Sequence, residues 1–188
     1  MQIEDGRGSG RKAEVTSLFQ LATRSVAIHA IAYNTLVNGA TWTVPFDAID
    51  PAGADDYFLY IRNDNSVDLV LGKLSVSSTV AGFIEVQKVT GTPAGGTDVV
   101  PVARNIGSLK QPNATIQTGT DITGLSSGGV LEFITLEANI GTGSTTNIAT
   151  LTDDPIVIPR DSAIAFLWTV STGVLTGNVT LIERAITL

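Results

Sequence analysis

An antiparallel all-β fold, a sandwich or barrel, is what this sequence predicts, and three observations predict it. Thr, Val and Ile number 24, 18 and 17, together 59 of 188 residues. β-Branched side chains suit a pleated surface and lose rotamer freedom in helices. Apolar residues recur with a period of two, most plainly in Ile164-Ala165-Phe166-Leu167-Trp168-Thr169-Val170, where positions 164, 166, 168 and 170 form one buried face. Turn signals also interrupt the chain every ten residues or so, the spacing of short strands in sandwiches and barrels.

Taken in order, the pattern predicts strands near 12–20, 24–33, 41–46, 57–63, 67–77, 82–90, 98–104, 130–139, 146–151, 155–158, 162–171 and 178–186. Turns are expected at Val37-Asn38-Gly39, Asp50-Pro51-Ala52-Gly53, Gly91–Gly96, Ser126–Gly129, Pro159-Arg160-Asp161 and Thr176-Gly177-Asn178. Strand 67–77 changes phase: Val67, Leu69 and Leu71 occupy odd positions, whereas Leu74 and Val76 follow Gly72 at even ones. A one-residue slip at glycine predicts a β-bulge. Residues 104–129, rich in Gly, Ser, Thr, Asn and Gln, are expected to form an extended excursion, either a solvent-exposed loop or a segment ordered only against a partner. No repeat or sharp composition shift divides the chain, so an arm over 1–12 and one sandwich domain over 13–188 are predicted.

At this length a domain buries about 70% of its extended surface and needs no covalent staple. With no cysteine and a single histidine, thiol nucleophiles, iron–sulfur clusters, thiolate zinc sites and His-rich centres are excluded. The net charge of −7 argues against nucleic acid or an anionic membrane as partner of the body. It is unevenly distributed. Arg7, Arg11, Lys12 and Arg24 outnumber Glu4, Asp5 and Glu14, so residues 1–24 carry +1 and the other 164 carry −8. No apolar run of about 18 residues occurs, and the polar start does not read as a secretory leader.

The candidate chemistry is sparse. His29 sits among Val26, Ala27, Ile28, Ala30 and Ile31 without a nucleophile elbow, so a packed or interface histidine is expected. The aspartates Asp47, Asp50, Asp55, Asp56 and, farther on, Asp153, Asp154 and Asp161 lack calcium-loop spacing, and no metal or cofactor is predicted. Glu132 and Glu137 are an odd number of positions apart, on opposite faces of an unbroken strand, which weakens a glycosidase reading. Gly6–Lys12 lacks the ending of a phosphate-binding loop and reads as a linker or docking arm. Asn113-Ala114-Thr115 and Asn178-Val179-Thr180 match glycosylation sequons, as a Thr-rich chain does by chance. The eleven aromatic residues, among them Trp42, Trp168, Tyr57, Phe58 and Tyr60, are expected in the core. No enzyme is predicted.

Three segments carry a resemblance. The opening Ile3-Glu4-Asp5-Gly6-Arg7-Gly8-Ser9-Gly10-Arg11-Lys12-Ala13-Glu14-Val15 resembles the I-E-D-G-x-G-x-G-x-x-A-x-V leader of small tailed-bacteriophage virion proteins. Residues 91–108 resemble the G-T-P-x-G-G-T-x-V-x-P-V-N-x-N-x-G-S hairpin of the same group, with Ala103 where the pattern has Asn. Residues 156–164 resemble the L-x-P-G-D-S-L turn of jelly-roll virion proteins, with Arg160 in place of glycine. The resemblance implies a jelly-roll β-sandwich on the virion, a capsid decoration (cement) protein that binds the major capsid protein and assembles as a homotrimer. Ile3, Arg7, Arg11 and Lys12 would then form a capsid-docking arm.

The low charge agrees with such a role, because it lowers the desolvation cost of burying surface against symmetric copies. One apolar face or edge of the sandwich is therefore expected to be covered by neighbouring subunits. The alternative is a head-fibre, tail-tip or baseplate protein binding host glycans or other virion proteins. Exposed aromatics in 104–129 would favour glycan binding, and that segment has none.

Overall fold

The computed structural model describes Thr35, residues 38–137 and residues 155–183, together with the backbone of 2–4, 12–15, 21–22 and 147–149. The strands in chain order are β1 (Gln2–Glu4), β2 (Lys12–Val15), β3 (Leu21–Ala22), β4 (Thr41–Ile49), β5 (Asp56–Asn63), β6 (Leu69–Ser78), β7 (Gly82–Ala94), β8 (Thr97–Asp98), β9 (Val102–Ala103), β10 (Ala114–Thr118), β11 (Thr123–Leu136), β12 (Asn147–Ala149), β13 (Ile156–Ile158), β14 (Ala163–Trp168) and β15 (Leu175–Glu183). Sheet I has the order β11-β7-β14-β5-β10-β8, and sheet II the order β12-β6-β15-β4-β9, with β13 also on β6. The two antiparallel sheets pack face to face as a β-sandwich. β1, β2 and β3 form a small sheet of their own.

The long strands pair in a nested order. β4 pairs with β15, β5 with β14, β6 with β12 and β13, and β7 with β11, each antiparallel. The chain thus behaves like one long hairpin, closed at β7–β11 and folded so that alternate rungs fall in opposite sheets. β8, β9 and β10 lie within the connection from β7 to β11 and extend the two sheets at β5 and β4.

Alternation explains which side chains meet between the sheets. Trp42, Val44 and Phe46 of β4 point inward, as do Leu74 and Val76 of β6, Ile84 and Val86 of β7, and Ile164, Phe166 and Trp168 of β14. Phe58 bridges Phe46 at 5.5 Å and Phe166 at 6.1 Å between ring centroids, in edge-on and tilted geometry. The two buried indoles keep their N–H groups satisfied: Trp42 Nε1 donates to the Lys110 carbonyl and Trp168 Nε1 to the Thr172 carbonyl, both at 3.0 Å.

The expected bulge in β6 is present. Against β15, Lys73 pairs with Thr180 and Leu71 with Leu181, which leaves Gly72 as the extra residue. The turn at Pro159-Arg160-Asp161 also forms, with Ser162 N donating to Pro159 O at 3.1 Å and Asp161 in the left-handed region at φ 58°.

Five expectations need correction. Residues 104–129 are no simple excursion, because 114–118 form β10 and 123–129 belong to β11. The predicted turn at 126–129 is a register shift inside β11, and that at 176–178 lies in β15, where the register shifts between Leu175 and Gly177. Glycine and serine mark bulges as well as turns, and the strand partner decides between them. Residues 91–94, predicted within a turn, continue β7. Finally, Ala165 and Leu167 are buried as well as Ile164, Phe166 and Trp168. Segment 119–125 folds back over sheet I, with Ile122 N donating to Tyr57 O and Gly119 N to Phe58 O. There it builds a second small core of Tyr60, Val89, Ile122, Ala163 and Ala165.

Candidate functional site

Strand parity on β7 places Ile84 and Val86 in the core and leaves Phe83, Glu85 and Gln87 on the outer face of sheet I. Phe133 stands opposite Glu85, and Thr135 opposite Phe83, so the two phenylalanines are diagonal neighbours on that face. They are 50% and 62% exposed, and Leu131, beside a register shift of β11, is 47% exposed. Leu167 of β14 stands across Glu85 from this patch and is buried. A concavity of about 450 Å³ borders it, lined by Gly82, Phe83, Thr135, Leu136, Thr169 and Val170.

The other half of the face is the small core under segment 119–125. A polar chain joins the halves: Tyr57 O–H donates to Gln87 Oε1 at 2.7 Å, and Gln87 Nε2 donates to Glu85 Oε2 at 2.6 Å. Burial raises the Tyr57 phenol, opposed by a hydrogen bond with Ser127 and assisted by the Glu85 charge. Burial raises Tyr60 as well, opposed by Arg62 and assisted by Asp64. These groups order the face; none presents a nucleophile with a base.

The expectation of an aromatic core holds for Trp42, Trp168, Phe58 and Tyr60, while Tyr57 is half-buried. It fails for Phe83 and Phe133. Their signal was in the sequence: Phe83 shares its parity with Glu85 and Gln87, and Phe133 alternates with Ile134 and Leu136. A second apolar projection is Ile106 and Leu109, each 98% exposed on the connection after β9.

Of the predicted arm residues, Ile3 lies in β1 opposite Ala13, and Lys12 begins β2 opposite Glu4. Part of the expected arm is therefore a paired strand. Arg7 and Arg11 lie outside the described residues, as do His29, Asp153 and Asp154. Among the described residues, no three or more His, Cys, Asp or Glu gather as a metal site. Glu132 is half-buried opposite Val86, and Glu137 is exposed past the end of β11. At the sequons, Asn113 Nδ2 donates to Asp64 O at 2.7 Å, and Thr180 is buried. No helix among the described residues is long and apolar enough to cross a membrane.

Comparison with protein-family models, with curated proteins and with solved structures gives no match to this chain.

Proposed function

We propose that this chain is a structural protein of a tailed-bacteriophage virion, a capsid decoration protein that binds the major capsid protein and assembles as a homotrimer. It works by surface burial and performs no chemistry. The observation that carries this reading is the pair of exposed phenylalanines, Phe83 and Phe133, on the outer face of sheet I, with exposed Leu131 beside them at the register shift of β11. A contiguous apolar patch on an ordered sheet costs solubility and is characteristic of an interaction surface. Buried phenylalanines contribute much of the binding energy where such faces meet.

Two further features support the reading. The nested pairing, β4 with β15 through β7 with β11, favours the jelly-roll form of the sandwich in this reading. The leader, hairpin and turn segments resemble those of virion proteins with that architecture. The acidic body suits a protein partner and not a nucleic acid.

The test is the double variant Phe83→Ser/Phe133→Ser. Both positions are solvent-facing, so the melting temperature should stay within a few degrees of the parent. Light scattering at micromolar concentration should then report a smaller species than the parent trimer, and co-sedimentation with empty capsids should be lost. A double variant with the parent's mass and undiminished capsid binding would overturn the proposal.

A further inference from the structure

On the opposite side of the sandwich, the outer face of sheet II gathers two cations. We propose that Lys73 and Arg104 form an oxyanion-binding site there, independent of the assembly role. The site begins with the bulge. Before Gly72 the inward residues of β6 are Leu69 and Leu71, and after it they are Leu74 and Val76. Without the extra residue Lys73 would continue the inward series. The bulge turns Lys73 and Ser75 outward, a common use of bulges near functional sites. Glycine suits the position, since a Cβ there would lie 2.7 Å from Ile182 Cδ1.

Lys73 is paired across the ladder with Thr180. Arg104 approaches the same residue from the far edge. Its backbone N donates to Thr41 O at 2.9 Å, and its Nη1 donates to Thr180 Oγ1 at 3.3 Å. Two positive groups, one on β6 and one just past the end of β9, thus flank one buried hydroxyl. Thr43, Ser75 and Asn178 complete the lining of a concavity of about 460 Å³.

Charge is the decisive feature. The chain carries −7, yet among the described residues neither Lys73 nor Arg104 has a carboxylate within 4.0 Å, whereas Arg62 and Arg160 are paired. Like charges held together without a counter-charge repel, and an anion between them removes that repulsion. The donor set fits an oxyanion. Arg104 keeps further N–H groups of its planar fork free of Thr180, Lys73 supplies a mobile point charge, and hydroxyl and amide groups surround them. No aromatic or large apolar side chain lines the concavity, so the ligand is polar: a carboxylate or a phosphate on a small hydroxylated body.

The test follows backbone amide shifts of the full chain by NMR. Sodium phosphate and sodium glucuronate are titrated separately against sodium chloride at matched ionic strength. Saturable shifts centred on Ser75, Arg104 and Asn178 are expected with at least one of the two, and the tighter ligand distinguishes a tetrahedral from a planar oxyanion. Lys73→Met and Arg104→Lys should each weaken that response at least tenfold. Lys73→Met should melt with the parent, since Lys73 has no ion-pair partner among the described residues. Shifts no larger than those from chloride, or a response unchanged in both variants, would overturn the site.

Discussion

Asn63 ties the two sheets together, and replacing it by aspartate isolates that tie with almost no change of shape. It ends β5 in sheet I and is wholly buried. Its Nδ2 donates to Val67 O and to Ile158 O, both at 2.9 Å, the second bond reaching β13 of sheet II. Its Oδ1 accepts from Asn65 N at 2.9 Å. In Asn63→Asp the acceptor is kept and the donor becomes a second acceptor facing two carbonyls. The buried Ile158 carbonyl and the part-buried Val67 carbonyl, left unpaired, cost up to about 1–3 kcal/mol each, or at most roughly 6 kcal/mol together. Burying a carboxylate adds a penalty that the protein escapes only by protonating it. The penalty sets a sign in pH. The folded state favours the neutral acid, so the pKa of the introduced carboxyl is raised on folding and the variant's deficit shrinks as pH falls. Urea denaturation followed by the fluorescence of buried Trp42 and Trp168 measures both effects. Against a typical total of about 5–15 kcal/mol, a loss of about 4 kcal/mol is large. A loss under about 1 kcal/mol at pH 7, or a deficit that does not shrink at low pH, would refute the assignment of Asn63 as the tie.

Gly177→Ala should destabilise the sandwich by about 1–3 kcal/mol, because its Cβ would run into the Ser75 carbonyl and lie 2.9 Å from the Phe46 ring; calorimetry showing an unchanged melting temperature would count against the β15 register. Tyrosine ionisation, read from ultraviolet absorbance, should show Tyr57 and Tyr60 titrating above the usual 10.0, since burial raises both. Burial here disfavours the phenolate, so the stability it contributes is measured against an unfolded chain that ionises first. As pH rises past 10.0 the unfolded state is favoured increasingly, and alkaline unfolding should accompany the late titration step; three tyrosines titrating together in the ordinary range would contradict it.

How much of this was legible depended on whether the deciding contact was local. The bulge at Gly72 could be read because the phase of its neighbours changes on either side. The inward residues of β14 could be read for the same reason, since Ile164, Phe166 and Trp168 alternate without interruption. Burial of Ala165 could not, because Ile122, some forty residues away along the chain, packs over it. Ser126–Gly129 and Thr176–Asn178 have turn chemistry and yet sit in strands, because partners on β7 and β4 hold them there. The nested order itself is long-range: β4 and β15 are more than 120 residues apart, and strand periodicity does not encode which partner a strand takes. The exposed apolar patch on sheet I was half-legible. The phenylalanines were expected in the core, and the exposure of Phe83 and Phe133 follows from the parity of β7 and β11. The Lys73–Arg104 pair was invisible because it forms only when β6, β15 and β9 are assembled.

The decisive test of the proposed capsid role is cryo-electron microscopy of the virion. Density for this chain is expected on the head shell, arranged in threes, with Phe83 and Phe133 buried against a neighbouring copy or the major capsid protein. Absence of the chain from the particle, or a position in which that face of sheet I lies open to solvent, would contradict it.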